Sequence, residues 1–397
     1  MKLNKRRYFL AAACAAVALA TAGGLRAQDS NSVKIGLILP MTGQQQSTGK
    51  QEAAAAKLFM SQQGDTVAGK KVELIIKDDA AVPDNTKRIA QDLIVNDKVT
   101  FLAGFGVTPA AMAVAPLATE AKTPEIVTAA GTSIITEKSP YIARTSFTLA
   151  QSTVPMADWA SQNGIKKVVS MVSDYAPGAD AAKSFAAEFT AKGGQIVDAI
   201  TFPLANPDFA PFLQRAADAK PDAIFVFVPS GQGGVFIKQF VERGLDKAGI
   251  KLIGPGDVMD DDLINGMGDA VIGTVTAHIY SADHNSALNK EFVAAFEKAN
   301  NGMRPNFMAV GGYDGMHLMY EALKKTGGKT DGDSLIAAIK GMSWESPRGP
   351  ISIDPDTRDI IQNVYIRKVE KKNGQLYNVE FATFPAVKDP VKAAEQK

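Results

Sequence analysis

VKIGLILP, Val33 to Pro40, is a nearly continuous apolar run of strand length closed by a proline. A strand covered on both faces of a parallel sheet has that look, whereas a half-exposed strand alternates polar with apolar residues. Three runs in the same style follow it: KVELIIKDD (Lys71 to Asp79), VTFLAGF (Val99 to Phe105) and PEIVTAA (Pro124 to Ala130). Helical candidates lie between them at Gly49 to Gln63, Asp84 to Asn96 and Pro109 to Ala121. This alternation predicts parallel strands with crossover helices, a doubly wound unit of about 120 residues.

Further along, the pattern is laid down a second time. KKVVSMVS (Lys166 to Ser173), QIVDAITFP (Gln195 to Pro203), DAIFVFVP (Asp222 to Pro229), KLIGPGD (Lys251 to Asp257) and VIGTVTAHIY (Val271 to Tyr280) read as strands. Helical stretches at Ala179 to Lys192, Asp208 to Ala219 and Gly233 to Arg243 separate them. Helices then follow at Ala287 to Asn300, Phe307 to Lys325 and Asp333 to Ile339, and the strands NVYIRKVEK and QLYNVEFATF close the pattern. No Ser/Gly-rich or Pro-rich linker divides the two series, so short extended segments are expected to join them. YIARTSFT (Tyr141 to Thr148), with alternating polarity and no evident helix cap, is the expected joint.

Ahead of Val33, Met1 to Ala27 has a basic head (Lys2, Lys5, Arg6, Arg7), an apolar run from Tyr8 to Ala22 and a small-residue exit at Ala27. That is the form of a bacterial export signal cleaved near Ala27, and its apolar run falls short of the roughly 20 residues a permanent span needs. Arg6-Arg7 is compatible with either twin-arginine or ordinary export. The single cysteine, Cys14, leaves with the leader, so the mature chain is expected to hold no disulfide, thiolate metal site or cysteine nucleophile. About 370 mature residues suit two cores rather than one. Basic and acidic residues number 43 and 42, and loss of the leader's five basic residues leaves a slightly acidic, mixed surface. Such a surface argues against nucleic acid or anionic membrane as the main partner.

Motifs for chemistry are sparse. GFGVTP (Gly104 to Pro109) and SGQGG (Ser230 to Gly234) follow strands, but Pro109 and Val235 stand where a dinucleotide loop has its third glycine. There is no Walker lysine and no Gly-x-Ser-x-Gly elbow, and His278, His284 and His317 lack metal-ligand spacing. The sequence therefore predicts neither an enzyme nor a cofactor or metal. Asp260-Asp261-Asp262 lacks the alternation of a calcium loop and is expected to cap a helix.

What remains is a set of polar residues at strand ends. Thr108 is expected as an N-cap with Pro109 at the first helical position, its helix amides facing the crevice into which strand C-termini point. Such an end suits a carboxylate. Ala129, Gly131, Thr132 and Ser133 follow the next strand and offer further donors; the alternative is that Thr108 and Thr132 merely cap helices. Tyr175, Ser230, Asp257 and Tyr280 sit at strand ends of the second series and are expected to face the same kind of crevice.

The leader, the two α/β units and the strings VKIGLILPMTG, KDD (Lys77 to Asp79), RTSFT and AVGGYDG together resemble the leucine/isoleucine/valine-binding family of periplasmic solute-binding proteins, which serve ABC importers. The resemblance implies a periplasmic-binding-protein type I fold, with two doubly wound, Rossmann-like α/β lobes and three crossing segments that let them close on a ligand. It implies lobe 1 at 28–147 plus 284–350 and lobe 2 at 148–283 plus 351–397, with crossings near Thr145 to Ala150, Ser281 to His284 and Pro350 to Pro355. Carried over by position, it implies first-lobe contacts at Thr48, Thr108, Ala129 and Gly131 or Thr132. Second-lobe contacts fall at Tyr175, Pro229 or Ser230, Gly256 or Asp257, and Tyr280.

Two departures bear on the ligand. Amino-acid binders of the family place an acid directly after a Gly-Pro pair; here Gly254-Pro255-Gly256-Asp257 sets it one position late, and Pro229 stands where a tyrosine is common. The run Gln44, Gln45, Gln46 offers donors and acceptors where a leucine binder presents an apolar wall, and Gln46 is taken as a candidate contact. The expected function is a periplasmic, monomeric binding protein that captures a small carboxylate, a branched-chain or other amino acid, for a membrane permease. Two alternatives stand beside it: an aromatic carboxylate of hydroxybenzoate or cinnamate type, and a ligand sensor.

Overall fold

The structure, a computed structural model, describes residues 31–205 and 207–395. The expected leader, Met1 to Ala27 with Cys14, lies outside the described residues, and so does the cleavage expectation. Among the described residues no helix is long and apolar enough to cross a membrane.

The first sheet begins with β1 (Ser32–Leu39), followed by helix α1 (Gln46–Gln63), a short strand β2 (Thr66–Val67), β3 (Lys70–Asp78) and helix α2 (Pro83–Asp92). Strand β4 (Phe101–Gly104), helix α3 (Thr108–Ala121), β5 (Glu125–Val127) and β6 (Ile142–Arg144) complete it. Its order is β2-β3-β1-β4-β5-β6, parallel except at the β2 edge. The chain winds outward in both directions from β1, so the carboxyl ends of β1 and β4 open on a switch-point crevice. From Ile35 onward β1 is apolar because it has a strand on each side and both its faces are covered; Val33, Ile35, Leu37, Ile38 and Leu39 are all buried, while Ser32 and Lys34 at its start are half-buried.

The second sheet opens after helix α4 (Leu149–Gln162) with β7 (Lys167–Ser173), α5 (Ala176–Ala191), β8 (Gln195–Phe202), α6 (Ala210–Asp218) and β9 (Ala223–Phe227). Helix α7 (Gly233–Glu242), β10 (Lys251–Pro255) and β11 (Val275–His278) continue it. Helices α8 (Ala287–Ala299), α9 (Phe307–Lys325) and α10 (Gly332–Ile339) then pack on the first unit, and β12 (Ser343–Ser346), β13 (Gly349–Ile353), β14 (Ile360–Lys372) and β15 (Gln375–Val387) return to the second. A short helix α11 (Pro390–Glu395) ends the described chain. The second sheet runs β12-β13-β14-β11-β10-β9-β7-β8, with β15 on β14.

Three sequence expectations change here. YIARTSFT is not all joint: Ile142–Arg144 pairs in parallel with β5. Thr148 then caps α4 in a capping box, its Oγ1 accepting from the Gln151 amide while the Gln151 side chain accepts from the Thr148 amide. Finally, β12 and β13 hydrogen-bond into the second sheet, so the boundary expected at 350 falls inside a strand of that sheet. By sheet membership the third passage between units lies at 340–343 rather than at Pro350 to Pro355.

Three fully buried arginines bind the passages together. Arg144 pairs with Asp359 at 2.8 Å and donates to the carbonyls of Ala130, Thr132 and Phe147. Arg348 pairs with Asp314 at 2.7 Å and donates to the carbonyls of Thr145 and Ser146 on the first passage. Arg367 donates to the carbonyl of Tyr280 on the second. A guanidinium has five donors in a fixed fork, so it can take several carbonyls that a buried turn would otherwise leave unpaired. One apolar cluster runs through the same region, from Ala55 and Leu58 of α1 through Phe147 and Phe307 to Phe225 and Phe227. The two lobes are therefore packed against each other along the passages.

Candidate functional site

Between the lobes lies a narrow cavity of about 30 Å³. Its first-lobe wall is Gln45, the turn Gly106 to Thr108 and the loop Ala129 to Gly131; its second-lobe wall is Tyr175, Phe227, Pro229, Ser230 and Asp257. Phe147 and Leu149 from the first passage and Met308 from α9 close the apolar floor.

The first-lobe wall grows out of the switch point. α3 starts at Thr108, immediately after β4 and a short turn, so Thr108 with its amide lies on the cavity wall; Pro109 has no amide hydrogen, and the amides of Ala110 and Ala111 donate back to the Val107 carbonyl at 3.0 and 3.3 Å. Val107, with extended backbone, is the N-cap and no side chain caps the helix. The expectation that Thr108 is the N-cap is corrected by one position. The Thr108 hydroxyl instead shares a 2.9 Å hydrogen bond with the Thr132 hydroxyl, in which either can donate. Gly131 is small for a reason: a Cβ there would sit 2.5 Å from Leu149 Cδ2, so the loop could not lie against the first passage. Arg144 fixes that loop by holding the carbonyls on either side of Gly131.

The second-lobe wall is built from the ends of β7, β9 and β10. Tyr175 is the residue before α5 and stacks on Phe227, with ring centroids 6.1 Å apart and planes at 16°. Asp257 follows β10 in a short 3-10 turn and is buried, yet its Oδ2 makes no hydrogen bond to protein. Burial pushes its carboxyl from 3.8 up to about 7, against the pull of Arg367. Behind it His278 Nε2 stands 3.9 Å from Asp257 Oδ2, and neither ring nitrogen of His278 has a partner. That imidazole lies against Phe147 and Phe307, with centroids 5.1 and 4.0 Å away, and burial holds it well below the usual range, as do Arg367 and Arg348. Tyr175 is pushed well above the ordinary phenol range by burial and by the Asp257 charge.

The structure thus brings Thr108, Ala129, Gly131, Tyr175, Ser230 and Asp257 to one cavity, with Thr132 directly behind Thr108. Thr48 is buried one layer back, its methyl 3.4 Å from where a Cβ on Gly106 would be, and its hydroxyl makes no hydrogen bond. Two expectations are corrected. Gln46 is exposed and accepts from Lys50 at 2.9 Å, because α1 begins there and turns it outward; its neighbour Gln45 faces the cavity. Tyr280 lies in the apolar core and donates to Asn289 Oδ1 at 3.0 Å, because β11 ends at His278 and the chain has already turned away. The apolar walls Phe147, Leu149, Phe227 and Met308 were not anticipated. The aspartate run caps no helix with its side chains either: the following 3-10 turn has Leu263 as N-cap and no side-chain bond. Among the described residues no cluster of His, Cys, Asp and Glu could hold a metal ion.

Known proteins share this fold. The profile of the periplasmic binding protein family matches residues 32–375. A Leu/Ile/Val-binding protein homolog 6 of Brucella melitensis is 43% identical over 362 residues, covering 90% of this chain and 93% of that one. A solute-binding protein of an ABC transporter from Rhodopseudomonas palustris BisB5, solved in complex with 3,4-dihydroxybenzoic acid, is 73% identical with a TM-score of 0.90, covering 91% of this chain and 99% of that one. Another from Rhodopseudomonas palustris, solved with 4-hydroxybenzoate, is 44% identical with a TM-score of 0.88 over 91% and 99% of the two chains. The chain belongs to the periplasmic binding protein family, as a solute-binding protein of an ABC transporter with the type I fold.

Proposed function

We propose that the chain captures a hydroxylated aromatic carboxylate of hydroxybenzoate kind and hands it to the membrane permease of an ABC importer. The observation that carries this reading is the unpartnered Oδ2 of buried Asp257 on the wall opposite the α3 N-terminus. The ligand carboxylate lies on the amide and hydroxyl of Thr108 at the α3 N-terminus, where the helix dipole favours an anion. Its ring packs between Phe147, Leu149, Phe227 and Met308, and its ring hydroxyl meets Asp257 and Tyr175.

Chemistry favours a phenol over an ammonium as the Asp257 partner. An ammonium is best met by a fully ionised carboxylate, but burial raises this one to about 7, so part of it keeps its proton at neutral pH. A phenol suits both protonation states, since it donates to the carboxylate and accepts from the acid. The relatives solved with hydroxylated benzoates support the same reading. Closure follows from the two-sided site: only the closed form makes both sets of contacts, so ligand shifts the equilibrium toward it. No covalent step is involved, the protein works as a monomer in the periplasm, and a leader cleaved near Ala27 takes it there.

Calorimetry on protein unfolded and refolded free of ligand tests the assignment. The expected order of affinity is 3,4-dihydroxybenzoate and 4-hydroxybenzoate first, benzoate weaker, leucine weakest. Leucine binding tighter than either hydroxybenzoate overturns it in favour of an aliphatic amino acid.

A further inference from the structure

The run Asp260-Asp261-Asp262 has no place in the ligand contacts, yet its three carboxylates turn to three different parts of the molecule. Asp260 Oδ2 accepts from the Ser230 hydroxyl at 2.9 Å and the Gly231 amide at 2.7 Å, and so holds the second-lobe loop that lines the cavity. Asp261 Oδ1 accepts from the Ala282 amide at 3.3 Å and from Asn378 Nδ2 at 3.1 Å, on the second passage and on β15. Asp262 reaches the other lobe: its Oδ2 accepts from the Ser47 hydroxyl and its Oδ1 from Asn306 Nδ2, each at 2.9 Å.

Ser47 lies in the first turn of α1 and Asn306 is the N-cap of α9, both on the first lobe. Two residues before Asn306, Arg304 makes the opposite reach. Its guanidinium donates to the Leu376 carbonyl at 2.7 Å and to Gln375 Oε1 at 2.6 Å, and lies 4.1 Å from the centre of the Tyr377 ring. An anion of the second lobe is thus seated among first-lobe donors, and a cation of the first lobe among second-lobe acceptors. Both sets of bonds join the two lobes, and neither residue lines the cavity.

We propose that Asp262 and Arg304 form a reciprocal clasp that sets how long the closed form persists, with Asp260 and Asp261 carrying its register to the ligand loop and to the passage between lobes. Hydrogen bonds made only in the closed form add to its population without touching the ligand, so they slow release and leave capture unaffected. The inference rests on the solute-binding reading but not on which acid is bound.

The test combines stopped-flow kinetics with inter-lobe distances from pairs of spin labels, on the full mature chain with 4-hydroxybenzoate, 3,4-dihydroxybenzoate and leucine as probes. Asp262→Ala is expected to raise the dissociation rate about tenfold, which corresponds to about 1.4 kcal/mol, with the association rate changed less than twofold. Ser47→Ala, which spares the aspartate run, is expected to raise dissociation in the same sense. The Asp262→Ala and Ser47→Ala effects should be less than additive when combined. In the distance measurement, both single variants are expected to lower the closed fraction, with or without probe. Unchanged dissociation in both variants, or an unchanged closed fraction, overturns the clasp. If the wild type binds none of the probes, the ligand class proposed above fails and the distance measurement alone decides the clasp.

Discussion

The two walls of the cleft differ in how much of their hydrogen-bonding capacity is already used. On the first lobe Thr108 and Thr132 satisfy each other, and Arg144 ties down the loop between them through three carbonyls and Asp359. On the second lobe Asp257 Oδ2 and both nitrogens of His278 are buried with no partner. A buried polar group without a partner costs stability, roughly 1–3 kcal/mol and more when charged. The first wall is therefore braced by bonds of its own and still has a hydroxyl hydrogen to offer, while the second holds a buried acceptor that a guest can meet. The contrast teaches a division of labour: orientation comes from the braced wall and selectivity from the one with the open acceptor.

The most damaging way to break this contrast is to unmake the braced wall. Arg144→Met takes the donor from three carbonyls and leaves Asp359 only Lys392 and Thr136, and is expected to lower unfolding stability by about 2–4 kcal/mol in chemical denaturation. A loss under about 1 kcal/mol would mean that the loop Ala130 to Thr132 holds its shape unaided. Next comes the opposite wall. Asp257→Asn is expected to weaken 4-hydroxybenzoate by about 1.5–3 kcal/mol in calorimetry, while benzoate, with no ring hydroxyl, changes little. Equal losses for the two acids would take the ring hydroxyl away from Asp257.

The same substitution sharpens the comparison through pH. Because burial raises this carboxyl to about 7, the folded chain keeps a proton there that the unfolded chain gives up above about 4. The residue therefore costs stability progressively as pH rises from about 4 to about 7, and its full amount above that. Ligand-free Asp257→Asn should melt above the wild type at pH 8, with the gap narrowing toward pH 5. A gap that stays constant over that range would place the titration elsewhere.

Smaller again is Thr108→Val, expected to cost carboxylate affinity about 1–3 kcal/mol by removing one donor and orphaning the Thr132 hydroxyl. Unchanged affinity would leave the Thr108–Thr132 bond as a purely internal brace. Smallest is Tyr280→Phe, which loses only the bond to Asn289. It should lower the melting temperature slightly and leave ligand affinity within error.

Much of the frame was legible because buried parallel strands advertise themselves. The runs at Val33, Lys71, Val99, Lys166, Gln195, Asp222 and Lys251 all became strands within a few residues of their expected limits. Helix α4 was not foreseen, although Thr148-x-x-Gln151 is a capping-box pattern, because Pro155 interrupts its interior. The hairpin β12–β13 is short, and nothing in SWESPRGPISI sets its pairing partner apart. At the site, strand-end logic placed Thr108, Gly131, Tyr175 and Asp257 at one cavity, because the topology of a doubly wound sheet leaves few other places for them. It could not tell Gln45 from Gln46, since adjacent helical residues point about 100° apart and the starting residue sets the phase. It could not find Phe147 or Met308, because an apolar side chain facing a cavity looks the same in sequence as one facing a core. Nor could it find the buried arginines, whose partners lie on other elements far along the chain.

The Thr108–Thr132 pair has one more property. Two hydroxyls bridged by a single hydrogen leave one hydrogen over, and that one can sit at either end of the pair. The cradle is therefore reversible in polarity: it can offer an outward hydrogen to an oxyanion or a lone pair to an N–H, with no heavy atom moving. The frame dictates where a guest's head group rests, and the guest dictates which way the bridge runs.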